Sequence, residues 1–270
     1  MALDFLTKEQ RRFTLRCCLV LVLTFQALFF SGYSGATETV RIASGEWPPY
    51  LSQDLIGYGV SSQLVTAAFK AAGLGVEYAF FPWNRSFASA LKGQFDATIG
   101  WERTPDRERD FWFSARPILV EQTVLFYLQD NPALKQGIWQ ADRSRKLLVG
   151  TTLGYEYGQK LFDGESQGYF VIYPSPTDEL NLKLLVNRRI DLFPIDRLVG
   201  IDMMKKHFSN ALHNVRYDPE PLRVVELYLL ISKNTTRGEW LKARFDEGMN
   251  ILDQKGVLNE YFEEAHIVPR

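Results

Sequence analysis

Two long runs of β-forming residues constrain this chain more than anything else in it. One covers residues 120–129 and contains Val124, Phe126 and Tyr127; the other is VVELYLLISK, residues 224–233. Before the first run, short apolar strands alternate with amphipathic helices: strands at 40–44, 76–81 and 95–99, helices at 60–72 and from Pro82 through Leu91. Between the two runs the same order repeats, with strands at 146–151, 169–173 and 190–196 and helices at 155–162 and 177–188. Strand–helix alternation of this kind builds open α/β sheets. A second α/β unit bracketed by two long strands predicts that the chain leaves the first unit along one strand and returns along the other, so that the two act as a hinge. The expected fold class is α/β in two lobes, with lobe I over residues 37–126 and 227–270 and lobe II over 127–226. Residues 236–254 and 257–265 read as helices that pack back on lobe I, with Leu241, Phe245, Gly248 and Leu252 at helical spacing.

The amino terminus is built differently. Lys8, Arg11, Arg12 and Arg16 precede a 14-residue apolar run, 17–30, and Ser34-Gly35-Ala36 then supplies small residues in the pattern of a signal peptidase site. Residues 1–36 therefore read as a secretory signal peptide cut after Ala36, because a permanent anchor needs ~20 apolar residues. Cleavage removes Cys17 and Cys18, and the remaining 234 residues have no thiol and rest on packing alone. It also takes four basic and two acidic side chains, which leaves 27 basic against 30 acidic, net −3. Such a balance offers no electrostatic footprint for nucleic acid. The expected product is a periplasmic monomer that needs no cofactor and no metal.

Candidate site residues fall where strands end. In GWERTPDRERDFWFS, residues 100–114, a strand closes at Gly100 and proline at 105 opens a short helix, which puts Arg107 in its first turn. Ligands of α/β sheets bind at the carboxyl ends of the strands, and a guanidinium there fits a carboxylate bidentately. Trp47 lies on the stiff loop Gly45-Glu46-Trp47-Pro48-Pro49-Tyr50 after the first strand, and Trp83 and Arg85 follow the second. Asp196 ends the strand before a helix at 198–208, where it either meets a cationic group or caps that helix.

TPDR followed by Phe113-Ser114, the WPP loop and the stretch Arg189–Asp196 together resemble the signature of the bacterial extracellular solute-binding proteins of family 3, which serve polar amino-acid transporters. The resemblance spans residues 38–265 and implies the Venus-flytrap fold. It also implies that Trp47 stacks on the ligand, Arg107 takes an α-carboxylate and Asp196 takes an α-ammonium. Three positions depart from the family pattern: Trp101-Glu102 stands before the TP, Tyr155-Glu156 follows Leu153-Gly154, and Phe193-Pro194 interrupts the last strand. Glu102 beside a ligand carboxylate would repel it, so Glu102 either turns away or binds a cationic group. Trp47, Trp101, Glu102 and Tyr155 thus suit a larger, cationic or aromatic ligand. Trp47, Arg85, Trp101, Glu102, Arg107, Tyr155 and Asp196 are the expected ligand-binding residues.

The expected function is binding of a small polar, amine-containing or amino-acid-like solute for a membrane permease. The alternatives are a sensing partner of a membrane receptor and a cyclohexadienyl-dehydratase-like enzyme using Glu102 as its acid. No nucleophile order, phosphate loop or metal spacing supports catalysis, and His207, His213 and His266 fall on surface or terminal segments.

Overall fold

The structure, a computed structural model, describes residues 38–139 and 145–264. The expected signal peptide, both cysteines and His266 lie outside the described residues. Among those described, His207 and His213 are exposed, and no helix is long and apolar enough to cross a membrane.

The chain opens with β1 (Thr39–Ser44), α1 (Val60–Ala71), β2 (Gly75–Phe80), α2 (Trp83–Leu91) and β3 (Ala97–Glu102). It continues through α3 (Pro105–Asp110), β4 (Phe111–Phe113) and β5 (Leu119–Leu128). The second unit holds β6 (Leu147–Thr152), α4 (Gln159–Ser166), β7 (Phe170–Ser175), α5 (Asp178–Val186), β8 (Leu192–Asp196) and α6 (Arg197–His207). After β9 (Val215–Tyr217), β10 (Arg223–Ser232) returns the chain to α7 (Gly238–Gln254) and α8 (Val257–Glu264).

The ten strands of the described residues join one sheet, in the order β2-β1-β3-β10-β5-β8-β6-β7 with β4 on β10 and β9 on β5. β1 pairs parallel with β2 and β3, and β6 pairs parallel with β7 and β8. The two long runs, β5 and β10, lie antiparallel to each other and to the parallel triplet on either side. Each triplet with its neighbouring long strand is the mirror of the other in strand order, which gives the two-lobed architecture with two hinge strands. The carboxyl ends of β1, β3, β6 and β8 are therefore the strand ends where a ligand site is expected.

α7 packs on α1 as its spacing predicts, with the Phe245 and Phe69 rings in tilted contact at a centroid distance of 5.0 Å. The helices approach so closely that a Cβ on Gly248 would stand 1.9 Å from the Ala68 carbonyl oxygen. Because the obstacle is backbone, it cannot rotate away. Gly248→Ala is expected to lower stability by about 2 kcal/mol through overpacking, read as a shifted midpoint in urea; an unchanged midpoint would mean the helices slide apart freely.

Three sequence expectations shift. β3 does not stop at Gly100 but continues to Glu102, because Gly100 adopts φ +83° opposite a register shift between Tyr228 and Leu229 of β10. The segment from Tyr155 is a loop, and α4 begins only at Gln159, after Gly158 at φ +83°. That loop folds back so that the Thr152 N–H donates to the Tyr157 hydroxyl, 2.6 Å away. Pro194 does not interrupt β8: the strand pairs with β5 through all five residues, while β6 joins it only at Leu192. The proline sits past the end of that second ladder, where a missing donor is tolerated.

Candidate functional site

A cavity of about 390 Å³ lies between the lobes, floored by the hinge strands. Lobe I contributes Trp47 from the loop after β1, Trp83 from the start of α2 and Trp101 from β3. Trp83 and Trp101 meet edge to face at 5.5 Å, and the Trp101 indole N–H donates to Thr98 Oγ1 at 2.9 Å. Lobe II contributes Tyr155, Glu156 and Tyr157 from the loop after β6, Asp178 from the start of α5, and Asp196 from the end of β8. The hinge strands contribute Glu121 and Thr123 from β5 and Arg223 from β10. In the antiparallel register Arg223 lies opposite Thr123 and Val225 opposite Glu121, so Glu121 and Arg223 are diagonal neighbours on one face of the ladder.

Four expected residues, Trp47, Trp101, Tyr155 and Asp196, are brought together here. Three are not. Arg85 lies outside the cavity with its guanidinium 4.6 Å from the centre of the Phe81 ring. The Arg107 guanidinium donates to the Glu102 carbonyl oxygen at 2.7 Å and covers the Trp101 ring at 5.1 Å, so in this conformation it is turned onto its own lobe. Glu102 is not among the cavity residues either; its carboxylate is 47% exposed and takes the Arg223 guanidinium at 3.1 Å. Its partner is therefore internal, and a solvent-exposed, ion-paired carboxylate is not the acid that the enzyme alternative requires.

Asp196 combines both of its possible roles. It lines the cavity, and it caps α6: Oδ1 accepts from the Leu198 and Val199 backbone N–H groups, each at 3.0 Å. The same oxygen accepts from the Tyr50 hydroxyl at 2.9 Å, and Oδ2 accepts from the Gln122 N–H at 3.2 Å. Tyr50 comes from lobe I, so this buried carboxylate joins both lobes and the β5 hinge strand. Burial still outweighs those hydrogen bonds and holds the Asp196 carboxyl above the usual range. The Tyr50 hydroxyl is pushed well up, first by burial and then by the charge of Asp196.

Sequence reasoning missed Glu121, Asp178 and Arg223, and of these Glu121 stands out. Its carboxyl accepts one long hydrogen bond, from Thr123 Oγ1 at 3.5 Å. Burial, then the charge of Asp196, raises its pKa to about 7, against opposing contributions from Arg223 and Thr123. Asp178 is better supplied, accepting from the Thr152 and Tyr155 hydroxyls, yet burial raises its pKa as well. The signal for Glu121 was a lone acid in an apolar hinge run. Among the described residues no cluster of His, Cys, Asp and Glu has the arrangement to hold a metal ion.

The sequence profile of the bacterial extracellular solute-binding proteins, family 3, matches residues 40–265. The chain belongs to that family. No curated protein sequence matches this solute-binding protein, but solved structures share its fold. Extracellular-binding protein ytmK from Bacillus subtilis superimposes with a TM-score of 0.70 at 16% identity, over 84% of this chain and 97% of that one. The unliganded, open L-cystine solute receptor of Neisseria gonorrhoeae gives 0.62 at 20% identity, over 86% and 94%. A histidine kinase sensor domain with similarity to periplasmic binding proteins gives 0.60 at 20%, over 84% and 96%. At these identities the likeness is one of fold.

Proposed function

We propose that this solute-binding protein captures a small amine-containing solute between its lobes in the periplasm, reached through cleavage of residues 1–36, and delivers it to a membrane permease. Lobe I (37–126 and 227–270) and lobe II (127–226) would close about the middle of β5 and β10. The observation that carries the reading is Glu121, a partly buried carboxyl on a hinge strand with almost no hydrogen-bonding partner of its own. It lies in a cavity walled by Trp47, Trp83 and Trp101. An ammonium group set against Glu121 gains a charged hydrogen bond, and the indole faces favour its alkyl stem and its charge. Closure follows because only the closed state makes both sets of contacts.

The sign of the pH dependence tests it. Free Glu121 is half protonated near pH 7, and a bound cation favours its ionised form, so binding below that pH must release a proton. Affinity for an amine is expected to fall as the pH drops below 7, by up to about tenfold per unit. Calorimetry with small amines at pH 6, 7 and 8, in buffers of different ionisation enthalpy, reads both the affinity and the released proton. Affinity that rises as the pH falls would point to an anionic solute instead. A thermal-shift screen finds the solute itself, since a ligand at 100 times its Kd adds ~2.7 kcal/mol.

A sensing role predicts the same solute chemistry and differs only in the recipient. Capture of a permease or of a receptor from membrane extracts, with solute present, separates the two.

A further inference from the structure

Arg223, which lines the cavity, and Arg107, which covers the ring of the cavity residue Trp101, are both engaged by Glu102. Glu102 takes Arg223 on its carboxylate at 3.1 Å and Arg107 on its carbonyl oxygen at 2.7 Å. Within the cavity the remaining charged groups are all acids: Glu121 on the floor, and Glu156, Asp178 and Asp196 on the lobe II wall. The protein thus supplies, from its own β3, a carboxylate to Arg223 and a carbonyl oxygen to Arg107, the places a ligand carboxylate would otherwise take. We propose that the solute is a small organic cation that carries no carboxylate, an alkyl or aryl amine or a diamine rather than an amino acid. The inference rests on the reading that this cavity takes an amine-containing solute, and it narrows that solute's class.

The physical argument is one of competition. To be held by Arg223, the one arginine among the described residues that lines the cavity, a ligand carboxylate would have to displace Glu102, exchanging one charged pair for another with little gain, while Arg107 is turned onto the Glu102 carbonyl oxygen. It would also enter a space already lined by four carboxyl groups, each of which repels it when ionised. A decarboxylated ligand meets neither cost. Its ammonium group faces Glu121, a second cationic end has Asp178 and Glu156 on the opposite wall, and its stem lies against the tryptophans. The cavity volume is that of a small-molecule site.

The experiment compares matched pairs by calorimetry on the purified protein: cadaverine with lysine, agmatine with arginine, tyramine with tyrosine. For the pair that binds, the amine is expected to bind at least about tenfold tighter than its amino acid. Glu102→Gln, an exposed position, keeps the carbonyl for Arg107 but releases the Arg223 guanidinium. That variant is expected to raise affinity for the amino acid and to shrink the preference to about threefold or less. An amino acid that binds the unmodified protein as tightly as its amine overturns the inference and leaves the amine reading standing. A preference that Glu102→Gln does not change overturns the role given to Glu102 and the inference with it. If no member of any pair binds, the amine reading itself fails.

Discussion

Glu121→Gln is expected to make the protein about 3 kcal/mol more stable than the unmodified chain at pH 8 and to leave it unchanged at pH 4. The glutamate titrates at about 7 in the folded protein, against 4.5 for an unperturbed carboxyl. A carboxyl whose folded pKa is raised binds more protons in the native state than in the unfolded one, so stability falls as the pH rises. The full contribution is present below pH 4.5. It is lost progressively up to about pH 7 and then stays lost, and the interval corresponds to about 3 kcal/mol at 1.36 kcal/mol per unit. Glutamine keeps the shape and the acceptor for Thr123 but never ionises, so it avoids the loss. Urea denaturation of both proteins at pH 4, 6 and 8 reads the difference directly; parallel curves at all three values would show that Glu121 ionises freely in the folded state. The same substitution removes the group proposed to face the solute's ammonium, together with the proton that binding would release. Greater stability with weaker solute binding is the pairing expected of a residue kept for function at a cost to the fold.

The hinge strands and the flanking strands were legible in the sequence because each is an apolar run punctuated by glycine, proline or polar turns, and those signals are local. The strand ends were legible for the same reason, and Trp47, Trp101, Tyr155 and Asp196 that follow from them line the interlobe cavity, since a parallel α/β sheet aligns its carboxyl ends. Glu121 and Arg223 were not legible. Each looks like a polar interruption in a β-run, and only the antiparallel register between segments a hundred residues apart makes them neighbours over the cavity. Arg107 shows the opposite limit. Its backbone setting was predicted correctly, in the first turn of α3 with Thr104 as the cap, but its side-chain direction depends on the Trp101 ring and the Glu102 carbonyl. Those became available only because β3 runs on through Gly100, an extension that Gly100 permits through its positive φ.

Asp196→Ala is expected to cost about 3–4 kcal/mol, because one carboxylate serves three structural tasks. Removing it leaves α6 without its cap, worth about 1–2 kcal/mol. It also strands the buried Tyr50 hydroxyl and the Gln122 N–H, each an unsatisfied donor at about 1 kcal/mol or more. Asp196→Asn keeps an acceptor for the cap and should lose less than half as much. Tyr50→Phe should cost about 1 kcal/mol, and in the double variant with Asp196→Ala its cost should vanish, since the two share one bond. The deficit of Asp196→Ala is expected to shrink as the pH rises. The raised pKa of Asp196 means that its stabilisation is complete below its unfolded value near 3.8 and is lost as the pH passes the folded value. Removing its charge also lets Glu121 ionise at a lower pH, because that charge is the second cause of the Glu121 shift. Urea midpoints from pH 3 to pH 8, with a titration of proton release on amine binding, test these together. If Asp196 served only as a ligand group, the alanine variant would lose affinity with its urea midpoint unmoved. A residue that joins both lobes and a hinge strand must instead move stability, and through Glu121 it must also move the pH dependence of the proposed amine binding.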